Sequence, residues 1–196
     1  MSQISVFIGD SVTDCGRDVE PPFGDGYVNE IATSGRLAGT IINVGTSGHR
    51  LLDLESRWTT DVLDHQPSLV SIAIGINDTW RRYDDNDPTS TADFEESYRR
   101  VLDATRKQGD VRFVLCEPFL LPVRDEMNGW REDLDPKIDV VHRLAKEYDA
   151  VLVPFDAYFT ELIKSAPMAQ FAEDGIHPTV LGHQLMADLW LKSLGL

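Results

Sequence analysis

Three residue groups, far apart in the chain, carry side chains that together could perform acyl transfer. Gly9-Asp10-Ser11 closes the apolar run Ile4–Ile8 and offers a hydroxyl. Near the other end stands Asp174-Gly175-Ile176-His177-Pro178. Between them lie two Gly-containing turns, Asn43-Val44-Gly45-Thr46-Ser47-Gly48 and Gly75-Ile76-Asn77-Asp78, each directly after an apolar run. A serine hydroxyl is a poor nucleophile near neutral pH and needs a base to take its proton; histidine is the natural choice. The imidazole in turn needs a carboxylate that fixes its tautomer and stabilises the imidazolium. Asp174 and His177 are three residues apart, so one helical turn of backbone would put both side chains on the same side. Pro178 biases His177 away from helical φ/ψ and toward a defined extended conformation. The oxyanion of such a reaction needs preorganised donors. The candidates are the backbone N–H of Ser11, an N–H of the turn Asn43–Gly48 and the side-chain amide of Asn77, which donates without adding a charge. Each short motif alone is a common turn or cap; their combination, in this order, is specific.

Neighbouring residues have plainer readings. Trp80 and Tyr83 follow Asn77 closely and could stack on a sugar ring, or pack as ordinary aromatics, the core being the better reading for Tyr83. Arg81 and Arg82 read as a solvated face, paired with Asp84 and Asp85. Asp14 reads as a structural hydrogen-bond partner, and His49, beside Gly48, leaves the base role to His177. His65, His142 and His183 read as surface or boundary residues. No metal-ligand spacing appears among the histidines, so neither a metal nor a cofactor is expected. Cys15 and Cys116 have no C-x-x-C spacing and read as thiols of a reducing compartment.

The elements that must position these groups follow from hydrophobic periodicity. Five apolar, β-branched runs read as strands: Gln3–Ile8, Ile41–Val44, Leu69–Ile74, Val111–Cys116 and Val151–Pro154. They are nearly continuous, as expected of strands buried on both faces. Helical stripes fill the gaps. Leu51, Leu54, Trp58 and Val62 form one, ended by Pro67. Phe94, Tyr98, Val101 and Thr105 form another, with Thr91 as N-cap and Gly109 as a C′ stop. A third is Leu134, Ile138, Val141 and Tyr148, with Asp135-Pro136 as its start signal. Leu181, Leu185 and Leu189 form the last. Alternating units of this kind give an α/β/α sandwich on a parallel sheet of about five strands, with function gathered at the carboxyl ends of the strands. The strand beginning near Gln3 is expected to be central. The segment Glu117–Trp130, apolar and carrying two prolines, reads equally as a cover over the core and as a wall of a substrate pocket.

The chain has 196 residues, 42% of them hydrophobic, and nothing resembling a linker or repeat, so residues 1–196 are expected to form one domain. Its formal charge is −15, from 33 acidic against 18 basic residues. Such a surface disfavours nucleic-acid partners and anionic membranes. Met1-Ser2-Gln3 leads straight into the first strand without a charged segment and an apolar stretch of signal length, so a cytoplasmic location is expected.

The motifs together resemble those of the SGNH (Gly-Asp-Ser-Leu) hydrolase superfamily, with Val12 where the name-giving leucine often stands. The resemblance runs essentially end to end. It implies a flavodoxin-like sandwich, a catalytic set of Ser11, Asp174 and His177, and an oxyanion hole from Ser11, Gly48 and Asn77, pointing to Gly48 rather than Gly45 in the turn Asn43–Gly48. Gly9–Arg17, Gly26-Tyr27-Val28, Arg57-Trp58 and Ile76–Tyr83 look most like a branch that includes intracellular acetylxylan esterases. The implied activity is hydrolysis of short, acetyl-like esters on small molecules or oligosaccharides. A lysophospholipase or thioesterase activity is the alternative, and homo-oligomer formation stays open. In a flavodoxin-like order one strand separates those leading to Cys15 and Cys116. Two strand spacings of about 10 Å exceed the roughly 7 Å Cα limit for a disulfide, so two free thiols are expected. Two readings compete. A metal-dependent phosphohydrolase with Asp10 as nucleophile would want a second Asp at position 12, which is Val12. A non-catalytic binding module would be expected to lack one of the three catalytic groups, and all three are present.

Overall fold

A computed structural model describes residues 3–20 and 22–196; Met1, Ser2 and Pro21 lie outside the described residues. Five strands, β1 (Ile4–Gly9), β2 (Thr40–Asn43), β3 (Leu69–Ala73), β4 (Arg112–Cys116) and β5 (Val151–Val153), form one parallel sheet in the order β2-β1-β3-β4-β5. They match the five expected runs to within a residue at each end. β1 is an interior strand, but the middle place belongs to β3. What β1 needs is a neighbour on each side that carries another part of the site, and β2 and β3 supply that.

The pleat sorts alternate residues into two cores. Val6, Ile8, Val70, Ile72, Phe113 and Leu115 face one side. There they meet α3 (Leu51–Asp61), α5 (Thr91–Arg106) and α6 (Arg131–Glu147) through Trp58, Phe94, Tyr98 and Leu144. Phe7, Leu69, Ala73, Val114 and Cys116 face the other side, against α2 (Tyr27–Thr33), α7 (Phe155–Leu162) and α8 (Val180–Ser193). Strands β1, β3 and β4 are accordingly buried along almost their whole length, as double-sided burial requires. α1 (Ser11–Asp14) is a single turn, and α4 (Ile76–Asp84) follows β3 directly.

Several helix details differ from the expectations. The N-cap of α5 is Ser90, not Thr91: Ser90 is extended and its Oγ accepts the Asp93 N–H at 3.1 Å, while Thr91 is already helical. α5 ends at Arg106, so Gly109 stands two residues past its cap, Lys107. α6 begins at Arg131, so Pro136 sits inside it rather than at its start. The burial of Met127, Trp130 and Leu134 extends the helix upstream and offsets the one backbone hydrogen bond that Pro136 cannot make. In α8 the fully buried stripe is Met186, Ala187, Trp190 and Leu191, one position on from Leu181, Leu185 and Leu189, which are only partly buried. Trp190 sets that phase, its Nε1 donating to Ser71 Oγ of β3 at 3.0 Å. Both cysteines are free, and β3 lies between β1 and β4. Among the described residues no helix is long and apolar enough to cross a membrane.

Candidate active site

The groups singled out from the sequence gather above the carboxyl ends of β2, β1 and β3. The sharp turn after β1 is made by Asp10, whose buried carboxylate accepts the Val12 N–H at 3.0 Å and caps α1. Ser11 is the first residue of that turn, so its own N–H has no partner within the helix. Ser11 Oγ lies 2.9 Å from His177 Nε2. On the far side of the imidazole, Nδ1 lies 2.6 Å from Asp174 Oδ2. The other carboxylate oxygen, Oδ1, accepts the backbone N–H groups of Ile176 at 2.9 Å and His177 at 2.8 Å. Burial alone would raise the Asp174 pKa, but these bonds, the His177 side chain foremost, hold it below its ordinary value. A carboxylate bonded to Nδ1 fixes the imidazole tautomer that leaves Nε2 free to accept a proton from Ser11. Asp10 is different: with burial as the main cause, its pKa is pushed up to about 7.

The loop after β2 carries Gly48, whose φ of +80° is the left-handed region; an added Cβ would meet nothing within 4 Å, so conformation rather than crowding calls for glycine. Among the described residues, neither the Gly48 N–H nor the Ser11 N–H meets a backbone acceptor. Asn77, in the first turn of α4, is buried and gives one Nδ2 hydrogen to His49 O at 3.0 Å, which ties α4 to this loop and leaves the second hydrogen unspent. Asp78 ties it again, accepting the Leu51 N–H at 3.1 Å.

Further residues that hold the loop carry no catalytic signature in the sequence. Asp14 Oδ2 accepts from the Ser47 N–H at 3.1 Å and the Ser47 hydroxyl at 2.8 Å. Arg17 donates to Gly45 O at 2.7 Å. Asn43 donates to Thr13 O at 2.8 Å while its Oδ1 accepts the Gly45 N–H at 3.0 Å. Asp14 was expected as a structural hydrogen-bond partner; for Arg17 and Asn43 the signal is position alone, as polar residues within eight positions of the ends of β1 and β2.

The Trp80 ring is half-buried, with its centroid 6.2 Å from that of His177 and 6.1 Å from that of Trp130. Tyr83 sits one turn further along α4, stacked on Trp130 at 5.2 Å and 7°, with its hydroxyl donating to Gly129 O at 3.0 Å. Trp80 thus borders the Ser11–His177 pair, and Tyr83 packs behind it. The segment Glu117–Trp130 buries Phe119, Leu120, Leu121, Met127 and Trp130. Its Leu120, Met127 and Trp130 join Ile76 and Ile176 in a third apolar cluster beneath the site.

Of the histidines expected at the surface or boundary, His183 is not there, whereas His142 is exposed as expected. His183 is buried on α8: its Nδ1 accepts the Tyr27 N–H at 3.1 Å, and Nε2 lies 3.2 Å from Cys15 Sγ. Burial lowers its pKa to about 4. His142 Nε2 lies 2.5 Å from Oε1 of the buried Glu117. The apolar spacing of α8, read one position out of phase, concealed the first. The second pairing spans twenty-five residues and has no local signature.

Known proteins resemble this chain in sequence and fold. A model of the GDSL-like lipase/acylhydrolase family matches residues 7–185. The chain is 35% identical to an acetylxylan esterase from Geobacillus stearothermophilus over 97% of its own length and 93% of that protein's. It is 29% identical to thioesterase 1/protease 1/lysophospholipase L1 of Escherichia coli strain K12 over 79% of the chain and 67% of that protein. The crystal structure of the Geobacillus esterase superposes with a TM-score of 0.90 at 32% identity, covering 99% of this chain and 94% of that one. Forms of that esterase with a serine, an aspartate and a histidine each replaced by alanine have been solved as catalytic mutants. A GDSL-like lipase structure from Parabacteroides merdae superposes with a TM-score of 0.92 at 34% identity, covering 99% and 96% of the two chains. By its sequence, its sheet order and its strand-end residues, the chain belongs to the GDSL-like lipase/acylhydrolase family and is a carboxylic ester hydrolase.

Proposed function

We propose that this enzyme removes acetyl groups from the hydroxyls of a carbohydrate through an acyl-enzyme on Ser11. The observation that carries the reading is the continuous chain Ser11 Oγ to His177 Nε2 to Asp174 Oδ2, at 2.9 and 2.6 Å. His177 Nε2 takes the hydroxyl proton as Ser11 Oγ bonds to the ester carbonyl carbon. The carbonyl oxygen becomes an oxyanion, held by the N–H groups of Ser11 and Gly48 and by the free hydrogen of the Asn77 amide. Collapse of that intermediate breaks the bond to the sugar oxygen, which leaves with the proton from His177. Water then gives a proton to His177 and bonds to the acetyl carbon; acetate departs and Ser11 recovers its proton. Asp174 keeps the ring oriented and stabilises the imidazolium in both halves.

Two observations support an acetyl group and a sugar. The similarity to an acetylxylan esterase spans nearly the whole chain, and the Trp80 ring beside His177 offers an aromatic face to a pyranose. The two free thiols fit a reducing compartment such as the cytoplasm. A thioesterase or lysophospholipase activity is the second reading, favoured by the similarity to the Escherichia coli enzyme. Initial rates on acetylated xylo-oligosaccharides, aryl acetates, octanoyl esters and acyl thioesters separate the two. Acetyl esters, the sugar esters above all, should turn over fastest; faster turnover of octanoyl esters or thioesters would reverse the assignment.

A further inference from the structure

One side chain that the proposed chemistry does not use grips both halves of the site from below. Arg57 lies on α3 with its side chain only 16% exposed. Its Nε donates to His49 Nδ1 at 3.1 Å and its Nη1 to Val44 O at 2.8 Å. Its Nη2 reaches Gly9 O at 3.5 Å, and Asp61, one turn along the helix, pairs with the same guanidinium. Gly9 stands two residues before Ser11, Val44 opens the loop after β2, and His49 follows Gly48. A rigid, planar fork therefore spans the nucleophile turn and the oxyanion loop.

We infer that Arg57 is a positioning residue that sets the spacing between Ser11 and Gly48 and fixes His49 in the tautomer carrying its proton on Nε2. The inference rests on the reading of Ser11 and Gly48 as oxyanion donors. A ring nitrogen that accepts an N–H cannot itself be protonated, so the bond from Arg57 Nε leaves the His49 proton on Nε2. A charged His49 would turn a donor toward a donor and a cation toward a cation. Burial first, and the Arg57 charge next, hold His49 below the ordinary histidine pKa; Asp53, Asp61 and Asp14 pull the other way without reversing it. The same residue is held through its carbonyl by Asn77 Nδ2 at 3.0 Å. On the other side of Gly48, Ser47 is held by Asp14. With both neighbours tied, the direction of the Gly48 N–H follows from Arg57, Asn77 and Asp14 together. A lysine ammonium cannot serve His49, Val44 and Gly9 from one plane.

Three sets of measurements test this: kcat and KM of Arg57→Met and Arg57→Lys, the same constants for Arg100→Met and Ser11→Ala, and the ¹⁵N resonances of the His49 ring in the wild type and in Arg57→Met. Arg57→Met should lower kcat roughly 10²-fold with little change in KM, the scale expected for a displacement of about 1 Å in the reacting groups. Arg57→Lys should recover only a minor part of the loss. Arg100→Met breaks ion pairs to Glu55 of α3 and Glu96 but touches neither loop, so its kcat should be unchanged. The wild-type His49 ring should show the Nε2–H form and titrate below the ordinary histidine value, and in Arg57→Met it should titrate at a higher pH. A wild-type kcat in Arg57→Met, full recovery in Arg57→Lys, or a wild-type His49 protonated on Nδ1 would overturn the inference. If Arg57→Met fails to fold, Arg57→Lys and the wild-type resonances decide alone. An inert Ser11→Ala beside an undiminished Arg57→Met rejects only the positioning role, whereas an active Ser11→Ala rejects the reading beneath it.

Discussion

The carbonyl oxygen of Leu121 stands where a side chain on Gly175 would have to go: a Cβ at residue 175 would lie 2.1 Å from it. Gly175 also has φ +88°, and its own carbonyl accepts the Leu121 N–H at 2.9 Å. The turn between Asp174 and His177 is thus clamped edge-on against the segment that follows β4. That segment is fixed in its turn by Asp156, which accepts the Leu120 N–H at 3.2 Å and pairs with Arg131 through both oxygens at 2.7 and 2.9 Å.

Gly175→Ala should therefore damage activity through His177 as well as stability. The left-handed backbone alone costs an alanine about 1–3 kcal/mol, and relief of the contact with Leu121 must move the Asp174–His177 turn. The expected outcome is a lower thermal midpoint, with a kcat loss that persists at temperatures where the variant is fully folded. Calorimetry together with kcat measured well below that midpoint checks both.

Loss of the Asn77 amide removes the bond to His49 O and, in the proposed mechanism, one oxyanion donor. Asn77→Ala should lower kcat by roughly 10²–10³ and largely spare KM. Asn77→Asp should be worse, because it turns an acceptor and a negative charge toward a developing anion. Steady-state constants on one aryl acetate settle the ranking.

His183 makes stability depend on pH in a defined window. Its folded pKa of about 4 lies below the unfolded histidine value of about 6.5, so between these pH values the unfolded chain binds more protons. Stability from this group is complete above about pH 6.5 and is lost as pH falls toward 4, by about 3 kcal/mol in all. Asp10 acts in the opposite sense, since a folded pKa of about 7 means that stability falls as pH rises from about 4 to 7. The two effects are separated by substitution. In His183→Asn, which can keep an acceptor for the Tyr27 N–H, denaturant unfolding should show a smaller loss between pH 6.5 and 4 than in the wild type.

The sheet, and the residues that the fold gathers at the candidate site, were legible because their signals are local. Five buried parallel strands must be continuous apolar runs, and the strand-end turns need Gly, Asp and Asn for reasons of backbone geometry. Of the supports of the site only Asp14 was legible, as the structural hydrogen-bond partner it is. Arg57 and Asn43 act on carbonyls and amides brought near by the order β2-β1-β3, which no spacing along the chain encodes. α6 was read as starting at Asp135-Pro136 because proline suits a first turn, whereas burial of Met127, Trp130 and Leu134 outweighs that local preference. Tertiary packing likewise set the phase of α8, where a single Trp190–Ser71 hydrogen bond turns the helix by one position and carries His183 into the interior.

The most direct test of the central claim is Ser11→Ala, assayed for acetyl-ester hydrolysis and for covalent labelling by a fluorophosphonate. The wild type should be labelled on the peptide that contains Ser11. The variant, folded by circular dichroism, should take no label and lose at least roughly 10³-fold in kcat, the residue of rate reflecting binding and the oxyanion donors alone. A folded Ser11→Ala enzyme that hydrolyses acetyl esters at close to the wild-type rate would contradict the account.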